Sequence, residues 1–255
     1  MTLCPDRNGD ITRLLCNGTN LSYFSPCGYV APAYYDKTGN NWLQSFTAGF
    51  LTTCGLQAVG SPCVDEGEEL PLHGSIANLP AERSYWEEDD ASIRIHTLTR
   101  DEVIFGRKLT LKRVIEVSKE ENSFTISDEI QNTGDRREPV EILYHMNMGY
   151  PLLDEESVVS IPSAEVVARD DHAAEDIAHW MHMEKPDYFR CEGTGRLCGV
   201  EDDGHPGLCA GTGMRQLLPG RAGRDAQDGD AEIPGAGGEE AVQGACGGAV
   251  VAVPN

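Results

Sequence analysis

The sequence has 255 residues, enough for one large domain or two small ones. Its 42 aspartates and glutamates against 20 lysines and arginines give a formal net charge of −22, which repels phosphate backbones and argues against nucleic acid as a partner. There is no apolar run of about 18 residues to cross a membrane, and Met1-Thr2-Leu3-Cys4-Pro5-Asp6-Arg7 lacks the basic and apolar regions of a signal peptide, so the expected location is cytoplasmic.

Residues 1–60 read as loop-rich, with Ser25-Pro26-Cys27-Gly28 and Ala31-Pro32 fixing turns. Tyr23, Phe24, Tyr29, Tyr34, Tyr35, Trp42 and Phe46 cluster there and are expected to be mostly core. The stretch Glu68 to Glu82 sets His73 against Gly74, between Pro71 and Pro80, in a loop too broken for helix or strand. From Ser92 the pattern becomes β-type. Ser92–Leu98 alternates apolar and polar residues, Leu109–Val117 follows with a shift of phase near Arg113 that reads as a bulge, and Ser123–Ile130 returns after a polar turn. Asn132-Thr133-Gly134-Asp135 is turn chemistry. Pro139–Met146 is apolar enough to be buried on both faces, and short strands are expected at Val158–Ile161 and Ala164–Ala168. Asp171–Met183 is the one plausible helical piece.

The composition changes at Arg190. All 17 aromatic residues lie at or before Phe189, and 16 of the 65 residues from Cys191 to Asn255 are glycine. This divides the chain into a β-sandwich domain over residues 1–190 and a Gly-rich tail over 191–255, which reads as disordered or as sequence from another frame. Strands at short intervals with polar turns imply an all-β antiparallel sandwich.

Two histidines are candidates for chemistry. His73 sits in a loop beside a glycine, which lets backbone approach a ligand closely; the competing reading is a surface histidine capping a turn. His145 lies on the apolar strand, with Asn147 on the same face because strand side chains alternate; the competing reading is a satisfied core histidine. Asn78 and Glu82 lie close to His73 in sequence, and Arg169-Asp170 follows a strand end, where the pair could reach a pocket or simply brace a loop. The nine cysteines (4, 16, 27, 54, 63, 191, 198, 209 and 246) are odd in number and lack a paired CxxC pattern, so they read as reduced thiols and no metal is expected. Neither a phosphate loop nor a serine nucleophile elbow is present, so no cofactor is expected.

At these residues the chain resembles the aldose 1-epimerase (galactose mutarotase-like) superfamily, and within it a bacterial branch described only as aldose-1-epimerase-like. The matching stretches are Asp6–Ile11, Ser25–Gly28, Gly49–Leu56, Leu72-His73-Gly74, Asn78–Glu82, Leu143–Asp154 and Arg169-Asp170. The resemblance implies an antiparallel β-supersandwich of galactose mutarotase type, incomplete here at both ends. Its concave face would bind a monosaccharide or small sugar derivative. It further implies an isomerase in carbohydrate metabolism that interconverts anomers by acid/base ring opening, without a cofactor. His145 matches the histidine that acts as general acid and His73 the one that holds a substrate hydroxyl, with Asn78, Asn147, Arg169 and Asp170 as binding residues. The family's catalytic glutamate comes from a late strand, and none of Glu192, Glu201, Glu232, Glu239 and Glu240 has a matching context. No arginine lies between Arg13 and Arg83, where mutarotases carry one upstream of the His-Gly loop. A non-catalytic carbohydrate-binding or regulatory module, or a truncated inactive product, is therefore the alternative.

Overall fold

Residues that alternate between core and solvent form the larger of two stacked layers. The computed structural model describes residues 1–160, 166–168, 171–175 and 177–183, and strand residues 210–211, 214–215 and 245–252. The main strands are β1 (Thr2–Cys4), β2 (Asp10–Arg13), β3 (Leu51–Leu56), β4 (Ala81–Glu88), β5 (Ser92–Glu102), β6 (Lys108–Ser118), β7 (Ser123–Asn132), β8 (Glu141–Met148) and β9 (Ala245–Ala252). One sheet runs β4-β5-β6-β7-β9, with every neighbour antiparallel. In the second layer β8 pairs with β3 and with the short strands Ala210–Gly211 and Met214–Arg215. The all-β antiparallel class is as expected.

The core lies between these layers. Leu109, Leu111 and Ile115 of β6 and Phe124, Ile126 and Ile130 of β7 meet Leu51 and Leu56 of β3 and Ile142, Tyr144 and Met146 of β8. Each fully buried side chain of this size contributes about 1.5–3 kcal/mol, so the β6–β7 pair carries a large share of the packing. Leu143, the odd neighbour on β8, packs outward with Trp42, Cys54 and Leu72 in a smaller cluster. Residues 142–147 are all buried, so β8 is covered on both faces, and its near-continuous apolar run follows from that position.

Several expectations are corrected. The register of β6 runs unbroken against both β5 and β7, so there is no bulge near Arg113. Arg113 keeps phase with Leu111 and Ile115 and occupies a core position itself, which is what made the alternation look shifted. The stretch Glu68–Glu82 is not all loop: Glu68–Leu70 pairs with Cys63–Asp65, Ile76–Asn78 is a 3₁₀ turn, and Ala81 begins β4. Val158 forms a single bridge to His182 and residues 166–168 lie in no sheet, while Ile161, Ala164 and Glu165 of the expected strands lie outside the described residues. The helical piece shrinks to Asp171–Ala174 and a 3₁₀ turn at Ile177–His179. Of the seven aromatics from Tyr23 to Phe46 only Trp42 is buried, while Tyr29 and Tyr34 are largely exposed, because residues 25–46 pass over the outside of the second layer. β9 lies within the glycine-rich stretch, where periodicity gave no strand.

Candidate functional site

The loop Pro71-Leu72-His73-Gly74 is fixed by backbone bonds before any side chain acts. Gly55 N–H donates to His73 O at 2.9 Å, His73 N–H to Gly60 O at 2.9 Å, and Ser75 N–H to Gly55 O at 3.0 Å. His73 itself adopts φ 56°, in the left-handed region, and Gly74 follows at φ 72°. A Cβ on Gly74 would lie 2.2 Å from Gly55 O. The glycine therefore allows two stretches of this chain's own backbone to approach, rather than a ligand. Gly60 N–H also donates to His73 Nδ1 at 3.3 Å, which makes Nδ1 the acceptor nitrogen and leaves Nε2 to carry the proton of the neutral ring.

His145 arrives from β8, opposite Thr52 of β3. Its ring lies 5.8 Å from that of His73, at an interplanar angle of 85°. Trp42 packs on His73 at 4.9 Å, Phe46 meets His145 edge-on at 5.5 Å, and Trp42 stacks on Phe46 at 4.7 Å. Four rings thus close a box in which His73 is 3 % and His145 8 % exposed. Trp42 lies in the 3₁₀ turn Asn41–Ser45 and Phe46 just after it, so this turn covers both histidines.

The two asparagines hold the surroundings. Asn147 is fully buried; its Nδ2 donates to His145 O at 3.0 Å and its N–H to Phe50 O at 2.8 Å. Asn78 accepts from Ser45 Oγ at 3.2 Å, and the same hydroxyl reaches Trp42 O at 3.1 Å, so Asn78 bonds to the covering turn. Arg7 pins that turn from below, donating to Ser45 O at 2.7 Å and Val30 O at 2.8 Å, and burial pulls its pKa down. Arg169 and Asp170 lie outside the described residues. Glu82 is exposed and pairs with Arg100, facing away from the histidines.

Sequence reasoning passed over Glu141. It shares the odd-numbered face of β8 with Leu143 and His145, and its Oε2 accepts from Val59 N–H at 3.1 Å, next to the Gly60 that holds His73. Its parity with His145 was the available signal.

A second polar cluster lies on the inner face of β8. Arg113 donates to Asp128 from Nε at 2.8 Å and Nη2 at 2.7 Å, to Asp10 from Nη1 at 2.8 Å, and to Thr53 Oγ1 at 2.8 Å. Thr53 Oγ–H donates to Asp10 at 2.6 Å and Tyr144 O–H to Asp128 at 3.0 Å. Burial works against the charge on Arg113, but Asp128 and Asp10 outweigh it and raise its pKa. Burial pushes the Asp10 carboxyl up, opposed by Arg113 and Thr53. This cluster ties β2, β3, β6, β7 and β8 together.

Among the described residues no group of three His, Cys, Asp or Glu side chains is arranged to hold a metal ion, and no helix is long and apolar enough to cross a membrane. A groove of about 560 Å³ lies on the outward face of β4–β7, across the sandwich from the histidines. The histidine pair, rather than this groove, is the candidate for chemistry, because a loop and a strand bring two imidazole rings to 5.8 Å of one another there.

A family model described as a domain of unknown function (DUF4432) matches residues 1–194. Among solved structures, the chain is similar to a Klebsiella pneumoniae protein described provisionally as an aldose 1-epimerase. The two share 27 % identity and a TM-score of 0.67, over 72 % of this chain and 50 % of that one. It is also similar to a protein from Synechocystis sp. PCC 6803, at 18 % identity and a TM-score of 0.49, over 63 % of this chain and 54 % of that one. The chain thus spans about half the length of each. No curated protein matches it.

Proposed function

The chain belongs to the DUF4432 family, and from that premise we propose that it is an aldose 1-epimerase-like protein that binds a monosaccharide and interconverts its anomers. The observation that carries this reading is the pair of histidine rings 5.8 Å apart, one from a loop and one from a strand. His145 acts as general acid, protonating the ring oxygen, while His73 holds a substrate hydroxyl through Nε2. Ring opening, rotation about C1–C2 and closure on the other face then give the second anomer. Imidazole suits such proton transfer near neutral pH without much tuning. Asn147 and Asn78 position the acid strand and the covering turn, and Arg169 and Asp170 complete the binding set. The sugar enters by displacing the Asn41–Ser45 turn, since the box is closed around both rings. Residues 1–190 carry the function, in a cytoplasm where thiols stay reduced.

NMR exchange between α and β anomers over a panel of aldoses tests the proposal. Acceleration that is lost in His145→Ala supports it, whereas acceleration unchanged by that substitution removes the acid assignment. A second reading is sugar binding without turnover. Saturable binding with no acceleration would select it.

A further inference from the structure

The outward face of the five-stranded sheet is not a uniform solvated surface. Cross-strand register sets Tyr85, His96, Val114 and Ser127 in one row and Arg83, Leu98, Lys112 and Glu129 in the next. These two rows form the floor of the 560 Å³ groove. Tyr85 stacks on His96 with ring centroids 4.5 Å apart and planes 5° from parallel, and the tyrosine remains 50 % exposed.

The charges on this face are unevenly paired. On one side Arg94 is held by Asp89 at 2.8 Å and Glu116 at 3.1 Å. On the other, Arg100 is held by Glu82 and Glu102. Inside the groove, Lys112 reaches Glu129 only at 3.6 Å, and Arg83 makes no ion pair among the described residues. Of the other charged groups at the groove, Arg113 and Asp128 pair with each other and His96 reaches Glu87 at 3.4 Å, so Lys112 and Arg83 are left with Glu129 alone, on a chain whose net charge is −22. A half-exposed ring beside Leu98 and Val114 offers an apolar patch that fits the C–H face of a pyranose, and an unpaired guanidinium is matched to a carboxylate or phosphate.

We propose that this groove is a second ligand site, distinct from the histidine pair, which binds a sugar bearing one anionic group. The anion sits on Arg83 and Lys112, and the pyranose ring lies over Tyr85. The site does not depend on the proposed epimerase activity, because it lies on the opposite face of the sandwich.

The test is titration of the full chain with glucuronate, glucose 6-phosphate, glucose and inorganic phosphate, followed by NMR shifts of the Leu98 and Val114 methyls. Both anionic sugars are expected to give saturable shifts, about tenfold or more tighter than glucose or phosphate, since hydrogen bonds to a charged group are the stronger kind. The tighter of the two identifies the anion. Arg83→Ala and Tyr85→Ala, both at surface positions, should each weaken binding about tenfold while the thermal melt is unchanged. His145→Ala should leave binding intact. The proposal is overturned if neither anionic sugar saturates, if glucose or phosphate binds as tightly, if Arg83→Ala has no effect, or if binding is lost in His145→Ala.

Discussion

Tyr144 and His145 are neighbours on one strand, yet they enter two different kinds of polar cluster. Tyr144 points inward and donates to Asp128, in a group where Arg113, Asp10, Asp128 and Thr53 satisfy one another. His145 points outward into a box of rings with His73, Trp42 and Phe46. The inner cluster holds formal charges with side-chain exposure of 0 % for Arg113 and Asp128, so it is sealed and bidentate. Such a cluster holds strands in register but offers nothing to a substrate. The outer one holds two imidazole rings, covered by a short turn rather than by a sheet. Burial alone does not distinguish the two clusters; the kind of group and the kind of cover do.

The largest test of this contrast is Arg113→Met. Removing one partner of a buried ion pair leaves Asp10 and Asp128 uncompensated, and about 3–5 kcal/mol should be lost in urea unfolding. A loss below about 1 kcal/mol would show that the cluster is not sealed. The pH dependence of this loss has a definite sign. The Asp10 pKa is raised by burial, so the folded state keeps its proton to higher pH than the unfolded chain does. Its contribution is full below the ordinary value of 3.8 and is lost as pH rises through the folded pKa. Without Arg113 to oppose burial, Asp10 should be pushed further up. The deficit of Arg113→Met should therefore shrink as pH falls from neutral toward 4.

On the outer side, His145→Ala should slow anomer exchange by about 10²–10⁴-fold, the usual contribution of a positioned acid, and keep a cooperative melt. If the melt collapses while exchange per folded molecule survives, the outer cluster is scaffold too. Gly74→Ala should cost about 1–3 kcal/mol, since its Cβ meets Gly55 O at a φ that side chains rarely adopt. An unchanged melting temperature would mean that the His73 loop is not pinned as described.

The smallest effect is at Asp89, an exposed carboxylate that reverses the behaviour of Asp10. Backbone N–H groups of Ser92 and Ala91 hold its pKa down at about 2. Its contribution should be present above the ordinary value of 3.8 and fade as pH falls through about 2. NMR titration of the side chain checks this, and a value near 3.8 would remove the turn from the account.

Strands β5 to β8 were legible in the sequence because each alternates or runs apolar over a full strand length. Arg113 was misread because a charge at a core position looks like a break in phase until its partners are known. Those partners, Asp10 and Asp128, are far apart in sequence from one another and are brought together only by the stacking of the layers. The pairing of His73 with His145 was expected from resemblance, but the rings that box them were not. Trp42 and Phe46 sit in a segment with no periodicity, and only the path of residues 25–46 across the second layer sets them there.

By itself, then, the sequence determined the local features. Alternation marked β5 to β7, an apolar run marked β8, and parity on β8 placed His145 and Asn147 on one face. The tertiary structure decided everything that needs two distant segments: the sealed ion cluster, the box of four rings, and the groove whose floor is two cross-strand rows. The physical reason is that local pattern records which side of an element is buried, whereas the partner it is buried against is set by how the layers stack.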